Sequence, residues 1–162
     1  MVSYPEHLPT FDYIGVYRYF LTFCTHERRR HFTEEDHVTL VRDQFLRRST
    51  EDHFAVPAYC FMPDHVHLLV EGTQDDSDLK QFVKAAKQYS GFYFTRRTNQ
   101  RLWQRYGFER VLRHEEATVD VARYIVNNPI RSRLVERLED YAYWGSFTHS
   151  REELLEYIRK AA

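Results

Sequence analysis

Two apolar runs, Phe54 to Phe61 and His65 to Glu71, are separated only by Met62-Pro63-Asp64. Short runs rich in Val, Phe, Tyr and Leu read as strands, and the Pro-Asp pair between them is a turn signal. The segment is therefore a β-hairpin, and the rest of the chain must be built on it. Before it, Val16 to Cys24 alternates and is rich in aromatics, which is the pattern of a first strand. Thr33-Glu34-Glu35-Asp36 reads as a helix start, a Thr cap with acids in the first turn, followed by Val38, Leu40, Val41, Phe45 and Leu46 at helical spacing. After the hairpin, Ser77 or Asp78 caps a second helix that carries Leu79, Phe82, Val83 and Ala86 on one stripe. A basic loop then leads to a fourth strand over Gly107 to His114. Glu115-Glu116 opens a third helix that ends by Asn128, because Pro129 disfavours a helical residue before it. A last amphipathic helix covers about Arg151 to Lys160.

The order β, α, β, β, α, β, α, α predicts an α+β fold, a ferredoxin-like or RRM-like split βαβ sheet with helices on one face and a C-terminal helical extension. A chain of 162 residues, 43% of them hydrophobic, is the size of one domain. The core is expected over residues 16–130 and the extension over 131–162. In such a sheet the first and third strands are central.

His65 and His67 lie one residue apart on that third strand, and side chains at i and i+2 share a face. They can turn two imidazoles toward one ion while Val66 and Leu68 point the other way. With nine histidines in the chain, a bare HxH pair is weak evidence, and two strand histidines bonded to their neighbours would look the same. A metal held by two histidines needs another anchor, and nucleophilic chemistry needs a hydroxyl nearby. The third helix offers both. Tyr124 and Asn128 share a face with Asp120, beside an apolar stripe of Ala117, Val121 and Ile125 that would dock the helix. A boundary tyrosine and an Asn chosen for the helix exit would show the same pattern. Tyr89 and Tyr93 on the second helix are rival nucleophiles, and periodicity does not separate them from Tyr124.

The net charge of -1 conceals a segregation. From Lys80 to Arg113 nine basic residues face one acid, Glu109, for a local charge of +8 against -9 elsewhere. Phosphate binding responds to the local patch. Lys84, Lys87, Arg96, Arg97, Arg105, Arg110 and Arg113 are the candidate DNA contacts. Aromatics from Tyr89 to Phe108 interleave with them, as on surfaces that stack single-stranded bases. No apolar run approaches the roughly 20 residues of a membrane span, and the N-terminus lacks a signal-peptide pattern. The expectation is a cytoplasmic protein without a membrane partner, nucleoid-associated when bound to DNA. Cys24 and Cys60 lack paired spacings and read as reduced core residues. The cluster from His26 to His31 reads as surface.

Three segments carry a resemblance: Met62 to Leu69 (MPDHVHLL), Trp103-Gln104-Arg105 with Phe108-Glu109-Arg110-Val111, and Arg123-Tyr124-Ile125-Val126-Asn127-Asn128-Pro129-Ile130. In this order they resemble the single-tyrosine HUH transposases, and among them the REP-associated tyrosine transposases of bacteria. The resemblance spans Tyr17 to Trp144. It implies that His65 and His67 bind a divalent ion, Mg²⁺ or Mn²⁺, and that Tyr124 attacks DNA to leave a 5′-phosphotyrosyl link and a free 3′-OH. Many insertion-sequence members carry Gln one turn after the tyrosine as third ligand; here Asn128 stands in that place. The implied substrate is single-stranded or hairpin DNA, acted on by a monomer or a homodimer, with Tyr124 working in its own subunit or a partner's. Two other readings compete. An RRM-like binding module would stack bases on strand aromatics such as Tyr17 and Tyr19, although the third strand lacks the RNP1 pattern. A two-histidine hydrolase would need a carboxylate beside the pair, and only Asp64 is adjacent.

Overall fold

The computed structural model describes residues 10–112 and 118–160. Five strands form one antiparallel sheet: β1 (Arg18–Cys24), β2 (Phe54–Met62), β3 (His65–Gly72), β4 (Phe108–Leu112) and β5 (Trp144–Gly145), in the spatial order β4-β1-β3-β2-β5. The first four reproduce the split βαβ arrangement, with β1 and β3 central. β5 is a short edge strand that the sequence did not predict; it pairs with Tyr59 and Cys60 of β2.

Helices α1 (Glu35–Glu51) and α2 (Leu79–Thr98) cover one face. There Tyr19, Leu21 and Phe23 of β1 and Val66, Leu68 and Val70 of β3 pack against Val38, Val41 and Phe45 of α1 and Phe82, Ala86 and Phe94 of α2. Trp103 stacks on Phe45 at 6.0 Å and 13° and donates its indole N–H to Ser90. The expected restriction of helices to one face does not hold. The alternate strand positions Phe20, Ala58, Cys60, Met62 and Leu69 are also apolar and also need covering. Their cover is α3 (Thr118–Val126), with Val121, Ala122, Ile125 and Val126, and α5 (Arg151–Lys160), with Leu154 and Ile158. An isolated nine-residue helix is marginal in water. Burying each of its Val and Ile side chains contributes about 1.5–3 kcal/mol, so α3 owes its stability to this docking.

Local chemistry departs from expectation at three helix ends. Thr33 is not the cap of α1; its hydroxyl donates to the Arg30 carbonyl, and Glu34 occupies the cap position. Asp78 caps α2 by accepting from the Gln81 N–H, and α2 continues to Thr98, where Asn99 in the left-handed region (φ 57°) closes it. Arg96 and Arg97 therefore lie in a last helical turn, where cations complement the helix dipole, rather than in a loop. The third helix stops at Val126, but the chain resumes helix across Pro129 as α4 (Asn128–Arg131). Proline is accommodated in a first turn because its missing N–H is not needed there. The predicted start at Glu115-Glu116, with Arg113, His114 and Ala117, lies outside the described residues. No helix among the described residues is long and apolar enough to cross a membrane.

At the other end of β3, the Gly72 N–H donates to the Tyr17 carbonyl, and a Cβ on Gly72 would collide with the carbonyl oxygen of Gly15. Gly72→Ala should therefore destabilise by about 1–3 kcal/mol in denaturant titration. Gly91 lies inside α2, where an added Cβ would meet only Trp103 Cδ1 at 3.8 Å, so Gly91→Ala should gain about 0.5–1 kcal/mol. Equal responses of the two variants would contradict this account of the Gly15–Gly72 contact.

Candidate active site

β3 lies between β1 and β2, with His67 opposite Thr22 and Cys60, and His65 opposite Cys24 and Met62. Strand alternation puts both histidines on the same face as Leu69 and Phe20, the face that α3 covers. They sit where that cover ends. The two rings are 4.7 Å apart between centroids. The Nδ1 of His65 donates to Asp64 Oδ1 at 2.7 Å, and Asp64 Oδ2 accepts from Arg28 Nε at 2.9 Å. Burial raises the Asp64 pKa, but the hydrogen bonds from Arg28 and His65 outweigh it and hold the carboxyl below its usual range. His67 Nδ1 lies 2.8 Å from Thr22 Oγ1. Each ring is thus anchored through Nδ1, and neither Nε2 has a hydrogen-bond partner among the described residues.

Burial, joined by the neighbouring His65 and then Arg131 and Arg28, pushes His67 down to about 3. Burial also lowers His65, against the pull of Asp64. Both rings are therefore neutral at physiological pH, the protonation state in which imidazole ligates a metal. Among the described residues no third His, Cys, Asp or Glu completes a metal cluster with them. The amide that the sequence offered as a third donor, Asn128, is 8% exposed, and its Oδ1 accepts from Ser132 Oγ at 3.2 Å and keeps a second lone pair. Two imidazoles and an amide oxygen, with orienting partners behind the rings, fit a hard divalent ion that also takes water or phosphate oxygen.

Tyr124 comes to this pair from α3. Its ring centroid lies 6.3 Å from that of His67 and 5.9 Å from that of Phe20, and the residue is 50% exposed. The rival tyrosines are on the wrong side. Tyr89 and Tyr93 belong to α2, whose buried residues pack on the opposite face of the sheet. The stacking aromatics expected of an RRM-like module do not form a pair either, since Tyr19 is fully buried beneath the α1–α2 layer. Asp64 is turned to His65 Nδ1 and Arg28 and so acts behind the histidine, not as the carboxylate a hydrolase would need.

The basic segment divides between the two faces. Arg110 pairs with Phe20 across the β1–β4 ladder and so shares the histidine face, exposed at the edge strand. Lys84, Arg96 and Arg97 are exposed on α2, behind the sheet. Arg105 precedes β4 and lies over the Tyr106 ring. Lys87 is occupied: its Nζ donates to the Gln104 carbonyl at 3.1 Å, and burial lowers its pKa. Three residues of the site escaped sequence reasoning. Thr22 and Arg28 join through strand register and a turn, for which a sequence carries no local signal. Arg131, with its guanidinium 3.7 Å above the Tyr124 ring, is brought there by the turn beyond Pro129.

The chain is similar to known proteins over most of its length. A model of the IS200-like transposases matches residues 14–128, from before β1 to Asn128. A Haemophilus influenzae protein described as a REP-associated tyrosine transposase is 26% identical over 137 residues, covering 77% of each chain. The solved structure of a REP-associated tyrosine transposase bound to a REP hairpin superposes with a TM-score of 0.71 at 20% identity, over 89% of this chain and 82% of that one. A Deinococcus radiodurans protein described as a transposase superposes with a TM-score of 0.53 at 25% identity, over 72% of this chain and 94% of that one. With most of its length matched by the family model and the same sheet and helices in a solved relative, the chain belongs to the IS200-like transposase family.

Proposed function

We propose that this transposase cleaves and rejoins single-stranded DNA at hairpin-forming repeats through a covalent bond to Tyr124. The observation that supports this most is the position of Tyr124: it is a half-exposed phenol, 6.3 Å from the buried His67 ring, on a helix docked over the histidine face. The hairpin substrate is carried over from the solved relative bound to a REP hairpin.

In the first step Tyr124 Oη attacks the scissile phosphorus. The Oη–P bond forms, the P–O3′ bond breaks, the phenolic proton passes to water, and the departing 3′ oxygen takes up a proton. A second 3′-OH attacking the same phosphorus reverses the sequence and joins strands, so no nucleotide cofactor is consumed. Mg²⁺ or Mn²⁺, held by His65, His67 and the Asn128 amide oxygen, would supply a Lewis acid at the scissile phosphate. The chain's own residues do the rest. Asp64 and Thr22 hold the two rings through Nδ1, which leaves Nε2 for a ligand, and burial keeps both rings unprotonated. α3 holds the phenol at the edge of a dry surface where a single strand can reach it. Arg110 stands on the same face to hold the adjoining backbone phosphate, with Arg105 at the start of its strand.

Three measurements test this reading. Tyr124→Phe removes one oxygen from an exposed position, so hairpin binding and the melting temperature should be retained while the protein-linked DNA band and strand cleavage disappear together. Tyr89→Phe and Tyr93→Phe should leave both products unchanged, and mapping of the adduct to either would refute the assignment. His67→Ala should abolish Mn²⁺ binding in calorimetry and lower cleavage by at least about a hundredfold. Full cleavage by the variant would remove the metal from the scheme. Arg110→Glu should reduce the slope of log affinity against log salt by about one phosphate contact and slow cleavage. It should do so more than Lys84, Arg96 and Arg97 changed together to Glu, because these lie on the other side of the sheet.

A further inference from the structure

Tyr124 is half exposed on α3. An exposed phenol on a helix has more than one staggered rotamer open to it, and these point in different directions. In the structure the ring is bounded by Phe20 at 5.9 Å and His67 at 6.3 Å, both from the sheet, and by Arg131 Cζ, 3.7 Å above the ring centre. Arg131 is also tied to the same residue by a second contact, since its Nη2 donates to the Tyr124 carbonyl oxygen at 2.9 Å. A guanidinium fixed at two points lies over one face of the phenol.

Two features make this more than a chance surface contact. Arg28, Arg48, Arg123 and Arg137 each pair with a carboxylate, whereas Arg131 forms no ion pair among the described residues. It lies against the Tyr124 ring and the Tyr124 carbonyl. It is also delivered by a specific backbone event. Pro129 has no N–H to give the carbonyl of residue 125, α3 ends at Val126, and α4 restarts at Asn128, so that a residue seven positions on folds back over Tyr124. The same turn carries Asn128 inward, so one break in the helix sets both the amide and the guanidinium.

We propose that Arg131 is the positioning residue for Tyr124: stacked on the open face of the ring, it restricts the phenol to the orientation beside His67. The inference rests on Tyr124 being the nucleophile. A planar guanidinium can lie on the ring and reach the carbonyl at once, which an ammonium cannot. When the Oη–P bond forms and the P–O3′ bond breaks, the phosphodiester charge arrives beside a cation that no carboxylate among the described residues pairs with.

The test separates orientation from DNA affinity and from folding. Arg131→Met and Arg131→Ala are expected to slow single-turnover adduct formation at saturating hairpin DNA and Mn²⁺ by about tenfold, with the hairpin Kd changed by less than about twofold. Arg131→Lys should recover part of the rate, and all three variants should melt within a few degrees of the parent. An activity-independent readout comes from 3-fluorotyrosine incorporation, with the Tyr124 resonance assigned by its absence in Tyr124→Phe. That ¹⁹F resonance should shift in Arg131→Met and less in Arg131→Lys. Unchanged adduct rates in the variants overturn the proposal whatever the resonance does, and so does a rate loss accounted for wholly by weaker DNA binding. If the parent protein forms no adduct yet its Tyr124 resonance moves on Arg131→Met, the clamp stands and the covalent mechanism is the reading that fails.

Discussion

The register of β3 between its neighbours governs the rest of the structure. Side chains alternate along a strand with a period of two, so a slip of one residue would exchange His65, His67 and Leu69 for Val66, Leu68 and Val70. The histidines would then turn into the larger core, and aliphatic side chains would stand where the two imidazoles now sit. Pairing with β1 on one side and β2 on the other makes such a slip costly, and the short Pro63-Asp64 turn allows little slack. The hydrogen bond between His67 and Thr22 is a direct product of that register, because the two residues are cross-strand partners.

Burial does two kinds of work at this site. Around Leu69 and Phe20 it docks α3; around His65 and His67 it favours the neutral ring by making a charged one costly. Folding therefore fixes the protonation state without any catalytic partner. Asp64 complements this by directing the His65 N–H backward, and Arg28 holds Asp64 in turn. The chain Arg28–Asp64–His65 runs from a turn after β1 to the start of β3, so two loops at one end of the sheet set the direction of one ring.

Much of this was legible in the sequence where the signal was periodic. The hairpin at Met62-Pro63-Asp64, the four strands of the split βαβ unit, the start of α2 and the α5 boundaries follow from alternation, helical spacing and caps. The face that holds the histidines was not legible, because alternation says that His65 and His67 share a side but not which layer that side meets. The covering of both faces was missed for a related reason. Cys60, Ala58 and Leu69 read as part of a continuous apolar run, and only the tertiary arrangement shows that they need their own helices. The basic segment looked like one patch because charge was summed along the chain. Folding sends Lys84 and Arg97 to one side of the sheet and Arg110 to the other. Arg131 was hidden by Pro129, which marks a helix end in sequence but in three dimensions only bends the path.

On the proposed mechanism α3 both seals the apolar surface and presents the nucleophile, and this double duty limits how the chemistry could be shared between copies. Detaching this helix alone would strip Phe20, Ala58, Cys60 and Leu69 of their cover, and α5 is tied to it through Arg123, which donates to the Ile158 carbonyl. A subunit that lent its tyrosine without receiving one would carry a bare hydrophobic wall. Any exchange must therefore be mutual, with two protomers trading the helix about a twofold axis so that each wall is resealed by the other's stripe.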